Sequence, residues 1–191
     1  MSLDRESMPE SDEKLFASYM RGDERGLRTL MERYGDSLTL YINGYIHDFQ
    51  DSEDLMIEAF SCVLAKRPLL KEGGFRPYLY KTARNLALRF TSKQRRGDFS
   101  FDNLETEPEA DELVDAVVHN KERDYLLKSC LDSILPDYRE AIFLVFFEDM
   151  SYAQAAKVMG KSPKQVDNLI QRGKKALRPL LEKEGITDAF S

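Results

Sequence analysis

The chain has 191 residues, of which 42% are hydrophobic and 32% are charged, and its formal net charge is -6. This composition is typical of a globular protein with a real core. No apolar run approaches the ~20 residues of a membrane span and no signal peptide opens the chain, so we expect a cytoplasmic protein without membrane insertion. Cys62 and Cys130 lack metal-ligand spacing and are expected to be buried thiols in a reducing cytosol.

Apolar spacing and charge together predict an all-α fold of two small helical domains joined by an acidic linker, the C-terminal domain being a helix-turn-helix. We expect a disordered tail over 1–10, an N-terminal domain over 11–96 and the linker over 97–120. The second domain is expected over 121–185 and a short tail over 186–191.

The helices of the N-terminal domain are predicted from the apolar repeat. The pattern that begins at Ser11 breaks near Gly22, and Gly35 with Asp36 is expected to separate it from a further helix. The next helix is predicted over 51–66, with Asp51 as its N-cap.

The outer face of this 51–66 helix carries Glu53, Asp54 and Glu58 near its N-terminal half. Acids there interact favourably with the helix dipole, which is one explanation for them. The other explanation is a docking surface for a basic partner.

A basic helix is predicted from Phe75 to Arg96, a stretch without a single acid. Tyr78 and Tyr80 lie near its start. Aromatic rings among cations suit single-stranded nucleic acid, because bases stack on rings while cations contact phosphates. Packing of these tyrosines at the helix start is the alternative. The cationic and amide candidates are Lys81, Arg84, Asn85, Arg89, Lys93 and Arg96.

The charge then changes sign, because residues 98–115 contain acids and no base. After this linker, a helix is expected from about Lys121 until Pro136 terminates it. The apolar stretch 137–149 should be buried.

Residues 151–177 predict two helices joined by a tight turn. Ser151 with Gln154, and Ser162 with Gln165, have the spacing of capping boxes. Gly160 is expected to end the first helix in the left-handed conformation. The residues predicted to face inward are Tyr152, Ala155, Ala156, Met159, Val166, Leu169, Ile170 and Leu177.

The polar face of the second helix suits DNA, because amides can contact base edges and cations can contact phosphates. A solvated helix in an ordinary bundle is the alternative. The candidate DNA contacts are Ser162, Lys164, Gln165, Asn168, Gln171, Arg172 and Lys175.

Enzyme motifs are missing from the sequence. His47 and His119 are isolated, and neither a glycine-rich phosphate loop nor a nucleophile elbow appears. We therefore predict no enzymatic activity, no metal site and no cofactor.

Three segments in order resemble a bacterial RNA polymerase sigma factor of the extracytoplasmic-function (ECF) group, over residues 12–184. The sequence DSEDLMIEAF at 51–60 resembles the helix that docks on core polymerase, and GGFRPYLYKTARNLALRF at 73–90 resembles the promoter-melting helix. The segment 135–177 resembles the C-terminal helix-turn-helix.

This resemblance implies a monomeric initiation factor whose N-terminal domain binds the β′ clamp helices through Glu53, Asp54 and Glu58. The basic helix and its tyrosines would melt the minus-ten element, and the loop 66–74 would hold a flipped-out base. The C-terminal domain would contact the β flap and the minus-thirty-five element. An anti-sigma factor is a further candidate partner.

The chain also departs from the family pattern. Tyr78 replaces a usual tryptophan, Ile57 a usual glutamine, and Asp167 and Leu169 occupy positions that are usually basic. Two alternatives stay open: a helix-turn-helix regulator that is not a polymerase subunit, and an interaction protein that titrates polymerase or a sigma antagonist.

Overall fold

The computed structural model describes residues 10–97 and 121–186, and all regular structure in these ranges is helical, as predicted. The N-terminal half contains α1 (Asp12–Met20), α2 (Glu24–Ile46), α3 (Phe49–Lys66) and α4 (Phe75–Gly97). The C-terminal half contains α5 (Lys121–Asp132), α6 (Pro136–Ile142), a π-helical turn (Phe143–Phe147), α7 (Tyr152–Met159) and α8 (Pro163–Lys183).

The break expected at Gly35 and Asp36 is absent, because α2 continues through both residues without interruption. Gly35 is buried, and its carbonyl accepts a hydrogen bond from the Thr39 hydroxyl at 2.9 Å. Glycine costs about 1 kcal/mol in a helix interior, and tertiary packing of the apolar face commonly offsets this. The break near Gly22 is confirmed, since this residue has φ of +102° between α1 and α2.

Helix α3 begins earlier than predicted. Its N-cap is Asp48, whose carboxylate accepts from the Asp51 backbone N–H at 2.8 Å. The prediction of Asp51 as N-cap was therefore wrong. The sequence did not distinguish the two positions, because Asp48 and Asp51 are close together and aspartate is favoured at an N-cap.

The C-terminal half differs from expectation in three places. Pro136 starts α6 at its first position instead of terminating a helix. Of the stretch expected to be buried, Leu144 is fully buried, whereas Phe146 is 42% and Phe147 is 47% exposed. Ile186, assigned to the tail, is buried beside Leu181.

One hydrophobic cluster joins the two halves. It extends from Leu15 in α1 to Ile170 in α8, and α4 packs against α7. A smaller cluster of α5, α6 and α8 side chains lies within the C-terminal half.

Several predictions lie outside the described residues: the first nine residues of the N-terminal tail, the linker beyond Gly97, the tail after Ile186, His119 and the side chain of Arg96. The domain boundaries stay predictions. None of the described helices has the length and apolar character to cross a membrane.

Candidate nucleic-acid interface

The helix-turn-helix forms because each helix start satisfies its own backbone donors. Ser151 Oγ accepts from the Gln154 N–H at 3.2 Å, and Gln154 Oε1 accepts from the Ser151 N–H at 2.9 Å. Ser162 and Gln165 make the same pair of bonds at 3.2 and 2.7 Å. Gly160 has φ of +65° between the helices. Both predicted capping boxes and the turn are confirmed.

The predicted inner faces are correct except at one position. Tyr152 is 37% exposed instead of buried, and Leu169 is partly buried. The buried members are Ala155, Ala156, Met159, Val166, Ile170 and Leu177. These side chains hold α8 against α7 and fix which face of α8 is left to solvent.

All residues predicted to contact the minus-thirty-five element lie on the exposed face of α8 or at its N-cap. Exposed in the structure are Ser162, Lys164, Gln165, Asn168, Gln171, Arg172 and Lys175. Lys164 Nζ lies 3.4 Å from Asp167 Oδ2, and the Lys164 side chain is 79% exposed. Such an exposed pair contributes about 0–1 kcal/mol, so it leaves Lys164 available to a phosphate.

One face of α4 presents a basic surface. Lys81, Asn85, Arg89 and Lys93 are exposed, and Leu88 is 37% exposed among them. Asn85, Leu88, Arg89, Ser92 and Lys93 line an open depression with a volume of about 640 Å³. Cations, an amide and an apolar side chain in one depression suit a nucleotide chain, which has both phosphates and bases.

Another face of α4 contacts the C-terminal half. Tyr80 is fully buried, and its hydroxyl lies 2.8 Å from Ser37 Oγ. Tyr78 is partly buried. The Arg84 side chain is 19% exposed, and its Nε donates to Glu140 Oε1 at 2.8 Å. In this arrangement Tyr80 cannot stack on a base, and its DNA contact stays a prediction that requires a different arrangement.

Two N-terminal side chains converge on the Glu140 carboxylate. The Tyr41 hydroxyl donates to Oε1 at 2.8 Å, as Arg84 does. Burial, and then the negative charge of Glu140, raises the pKa of Tyr41 well above its ordinary value. Burial opposes the charge of Arg84, but Glu140 outweighs it and raises the pKa of that guanidinium. Both donors therefore stay protonated, and the bonds to the carboxylate are charge-assisted.

Sequence reasoning did not identify Glu140 or Tyr41. Their hydrogen bond joins positions 99 residues apart, and the Arg84 bond spans 56 residues. Helical periodicity describes neighbours within a few residues, so it carries no signal for such pairs.

The acidic face of α3 is open. Glu53, Asp54 and Glu58 are exposed, and Ile57 is 52% exposed between them. Partial desolvation, together with the negative charge of Asp48 and Asp54, raises the pKa of Asp51. Over 10–97 and 121–186, no cluster of His, Cys, Asp and Glu could hold a metal ion.

Protein-family models match residues in both halves of the chain. Residues 30–97 match the model of Sigma-70 region 2, and residues 125–177 match that of Sigma-70, region 4. The chain belongs to the sigma-70 family. The predicted resemblance is thereby confirmed.

Curated relatives of this sigma factor include ECF RNA polymerase sigma factor SigE of Mycolicibacterium smegmatis. It is 29% identical over 74% of this chain and 56% of its own length, so this chain spans little more than half of that relative. The RNA polymerase sigma-H factor of Pseudomonas aeruginosa is 29% identical over 90% of this chain and 96% of its own length.

Solved structures share the fold. One is CnrH in complex with the cytosolic domain of CnrY, at TM-score 0.59 and 21% identity, covering 92% of this chain and 99% of that one. Another is the sigma factor RpoE in complex with the anti-sigma factor NepR from Bartonella quintana, at TM-score 0.61 and 20% identity, covering 82% of this chain and 96% of that one.

Proposed function

We propose that this sigma factor binds core RNA polymerase, selects promoters and opens DNA strands in transcription initiation, without catalysis of its own. The supporting observation is that one chain carries three surfaces in the family order. These are the acidic face of α3, the basic surface of α4 and the exposed polar face of α8.

The acidic face of α3 is the proposed docking site for the β′ clamp helices. Glu53, Asp54 and Glu58 are exposed on the same helix as the exposed Ile57, so this face offers an apolar contact beside negative charges. Such a combination fits a basic helical partner with an apolar centre. The helix dipole also stabilises these acids, but it does not require Ile57 to be exposed.

The basic surface of α4 is the proposed site for the minus-ten element and for strand opening. The exposure of Lys81, Asn85, Arg89 and Lys93 supports their proposed contacts with a displaced strand. Tyr78, Tyr80, Arg84 and Arg96 belong to the same proposed set. Melting would be driven by this binding energy, since stacking and phosphate contacts offset the cost of unpairing.

The C-terminal half is the proposed contact for the minus-thirty-five element and the β flap. A helix-turn-helix places the start of its second helix in the major groove, and here that start carries Lys164, Gln165 and Asn168. Gln171, Arg172 and Lys175 lie farther along α8, where phosphate contacts are expected.

We propose an anti-sigma factor as a further partner of this chain. The structure of CnrH was solved with the cytosolic domain of CnrY, and that of RpoE with the anti-sigma factor NepR. A cytoplasmic location and a monomeric free state belong to the same proposal. A helix-turn-helix regulator that never joins polymerase would need no basic helix directly after an acidic docking helix, and we rank it second.

The test is a pull-down with core polymerase, followed by run-off transcription. Asp54→Lys with Glu58→Lys should weaken association at least about tenfold, since like charges across an interface cost several kcal/mol. The matched control is Glu32→Lys with Asp36→Lys, which makes the same charge change on the exposed side of α2. Circular dichroism should show intact helices in both pairs. Equal retention of the two pairs on polymerase would leave only the helix-dipole explanation for the α3 acids.

A further inference from the structure

The start of α4 has no side-chain cap of its own. Gly73 and Gly74 precede Phe75, and neither has a side chain that could accept a backbone N–H. The first intrahelical bond runs from the Tyr78 N–H to the Gly74 carbonyl at 3.2 Å, which makes Gly74 the N-cap residue. The first turn of α4 also contains no acid to interact with the helix dipole. This helix start therefore depends on acceptors from elsewhere in the chain.

Few backbone donors remain at this start. The Gly74 N–H is bonded to the Lys71 carbonyl at 2.8 Å, and Pro77 has no N–H. A Cβ added at Gly74 would lie 2.7 Å from the Lys71 carbonyl oxygen, so the turn before α4 has no room for a side chain. The N–H groups that remain are those of Phe75 and Arg76.

Glu13 of α1 supplies an acceptor for the first of these donors. Its Oε1 accepts from the Phe75 N–H at 2.9 Å, across 62 residues of sequence. A carboxylate at a helix N-terminus makes a charge-assisted bond and is favoured by the helix dipole. Phe75 is 1% exposed, and its ring centre lies 5.6 Å from that of Phe16, three residues after Glu13. A polar bond and an apolar contact from α1 thus hold the first residue of α4 together.

Phe75 lies at the junction of two segments. The loop 67–74 ends immediately before it, and α4 begins with it. The exposed basic face of α4 starts less than two turns later, with Lys81 and Asn85. A displacement of the first turn would therefore move both the end of the loop and the basic face.

We propose that Glu13 is a positioning residue for strand opening. By holding Phe75, it presents the basic surface of α4 to the displaced strand in one fixed orientation. A surface that is held before binding loses less conformational entropy when the strand arrives, so more binding energy is left to separate base pairs. This inference rests on the function proposed above for α4.

The test measures strand opening separately from polymerase binding. Holoenzyme is assembled with the full-length wild type or a variant, on a promoter that wild-type holoenzyme selects from a randomised library. Potassium permanganate detects unpaired thymines in the duplex promoter. Run-off transcription compares this duplex with the same promoter opened in advance by mismatches around the minus-ten element and the start site. Mismatches remove the cost of unpairing, so they rescue a defect in opening but not one in folding or polymerase binding.

Glu13→Ala should lower the permanganate signal and the run-off yield on the duplex about fivefold, which corresponds to the loss of one helix cap. On the promoter opened in advance it should match the wild type. Glu13→Gln keeps a carbonyl acceptor for Phe75 and should retain most of the activity on the duplex. The matched control is Glu24→Ala, which removes an exposed carboxylate from the first turn of α2 and should match the wild type on both templates. Retention on core polymerase should be unchanged in all three variants.

Duplex opening by Glu13→Ala at the wild-type level would overturn the proposal. An equal loss on both templates, or lost retention on polymerase, would also overturn it, because Glu13 would then be a structural cap only. The same is true if Glu13→Gln is as defective on the duplex as Glu13→Ala, since the bond to Phe75 would not be the cause. A wild-type holoenzyme that opens no duplex promoter would instead refute the function proposed for α4.

Discussion

At the scale of single residues, the polar side chains at the start of α8 differ in whether they already make hydrogen bonds within the protein. The Ser162 hydroxyl and the Gln165 carbonyl already accept backbone N–H groups in the capping box. Lys164 is within 3.4 Å of Asp167. Among the exposed amides of α8, Asn168 is therefore better placed than Gln165 to contact a base edge, because no capping bond uses its side chain.

The first prediction separates base contacts from phosphate contacts. Asn and Gln can pair bidentately with adenine and discriminate by about 1–3 kcal/mol, whereas phosphate contacts are the same for every sequence. Asn168→Ala should change the preferred minus-thirty-five sequence. Lys175→Ala should weaken all promoters alike and reduce the salt slope by about one unit. The measurement is selection from a randomised minus-thirty-five library by holoenzyme containing each variant.

Asp167→Ala is the control for this division. Because Asp167 pairs with Lys164, we expect the substitution to cost little specificity. If Asn168→Ala and Lys175→Ala return the parental motif alike, the division of α8 into base-contacting and phosphate-contacting positions is wrong.

The second prediction concerns Glu148, which is 7% exposed at the end of the π-helical turn. Burial raises the pKa of this carboxyl above 4.5, although hydrogen bonds with Tyr80 and Ser37 act in the opposite direction. The folded state therefore binds this proton more tightly than the unfolded state. The stabilisation is complete below pH 4.5 and is lost as pH rises through the folded pKa.

Glu148→Gln removes this dependence of stability on pH, because an amide does not titrate. As the pH falls from 7 to about 4, the wild type should gain free energy of unfolding relative to Glu148→Gln, by up to about 1.4 kcal/mol per unit of pKa difference. Urea titrations at both pH values measure this, with Asp137→Asn as an exposed-carboxyl control. A constant difference between wild type and Glu148→Gln across this range would contradict the prediction.

At the scale of secondary structure, α2 shows how one helix can use glycine in two ways. A Cβ added at Gly26 would lie 2.3 Å from the Leu15 carbonyl oxygen, because α1 crosses α2 at this point. A Cβ added at Gly35 would meet nothing within 4 Å. Gly26 therefore permits a close approach of two helices, whereas Gly35 has no such steric role.

The third prediction uses these glycines as a matched pair. Gly26→Ala should destabilise the protein by about 1–3 kcal/mol, since the obstacle is backbone that can move only if α1 shifts. Gly35→Ala should stabilise it by about 0.5–1 kcal/mol through helix propensity. Urea denaturation followed by circular dichroism measures both. Equal effects would mean that α1 does not approach α2 as closely as described.

The same elements show which structural features a sequence can reveal. The capping boxes at Ser151 and Ser162 were predicted correctly because all their bonds lie within one turn. The passage of α2 through Gly35 was not, since tertiary packing decides it. Exposure of the α3 acids and the α8 amides followed from helical periodicity. The bond of Arg84 to Glu140 did not, because its partner lies 56 residues away in the other half.

At the scale of the whole molecule, the two halves fold onto each other as one unit. A single hydrophobic cluster crosses between them, and the Glu140 ion pair lies at the junction. Proteins with one continuous core commonly unfold in one cooperative transition, whereas separable domains do not. We therefore expect the wild-type chain to unfold in a single transition, with α4 and α6 losing hydrogen-exchange protection together.

The last prediction is that Glu140→Ala separates the two halves energetically. Removing one partner of a buried ion pair costs about 3–5 kcal/mol, and we expect about 1–3 kcal/mol because the remaining charge can regain water at an interface. Here that charge is Arg84, whose side chain is 19% exposed. The loss falls on the contact between halves, so α6 to α8 should lose protection at lower urea than α2 to α4. Asp137→Ala removes an exposed pair with Lys161 and should keep one transition. Native-state hydrogen exchange across a urea series resolves the helices, and coincident transitions in Glu140→Ala would show that the apolar cluster alone couples the halves.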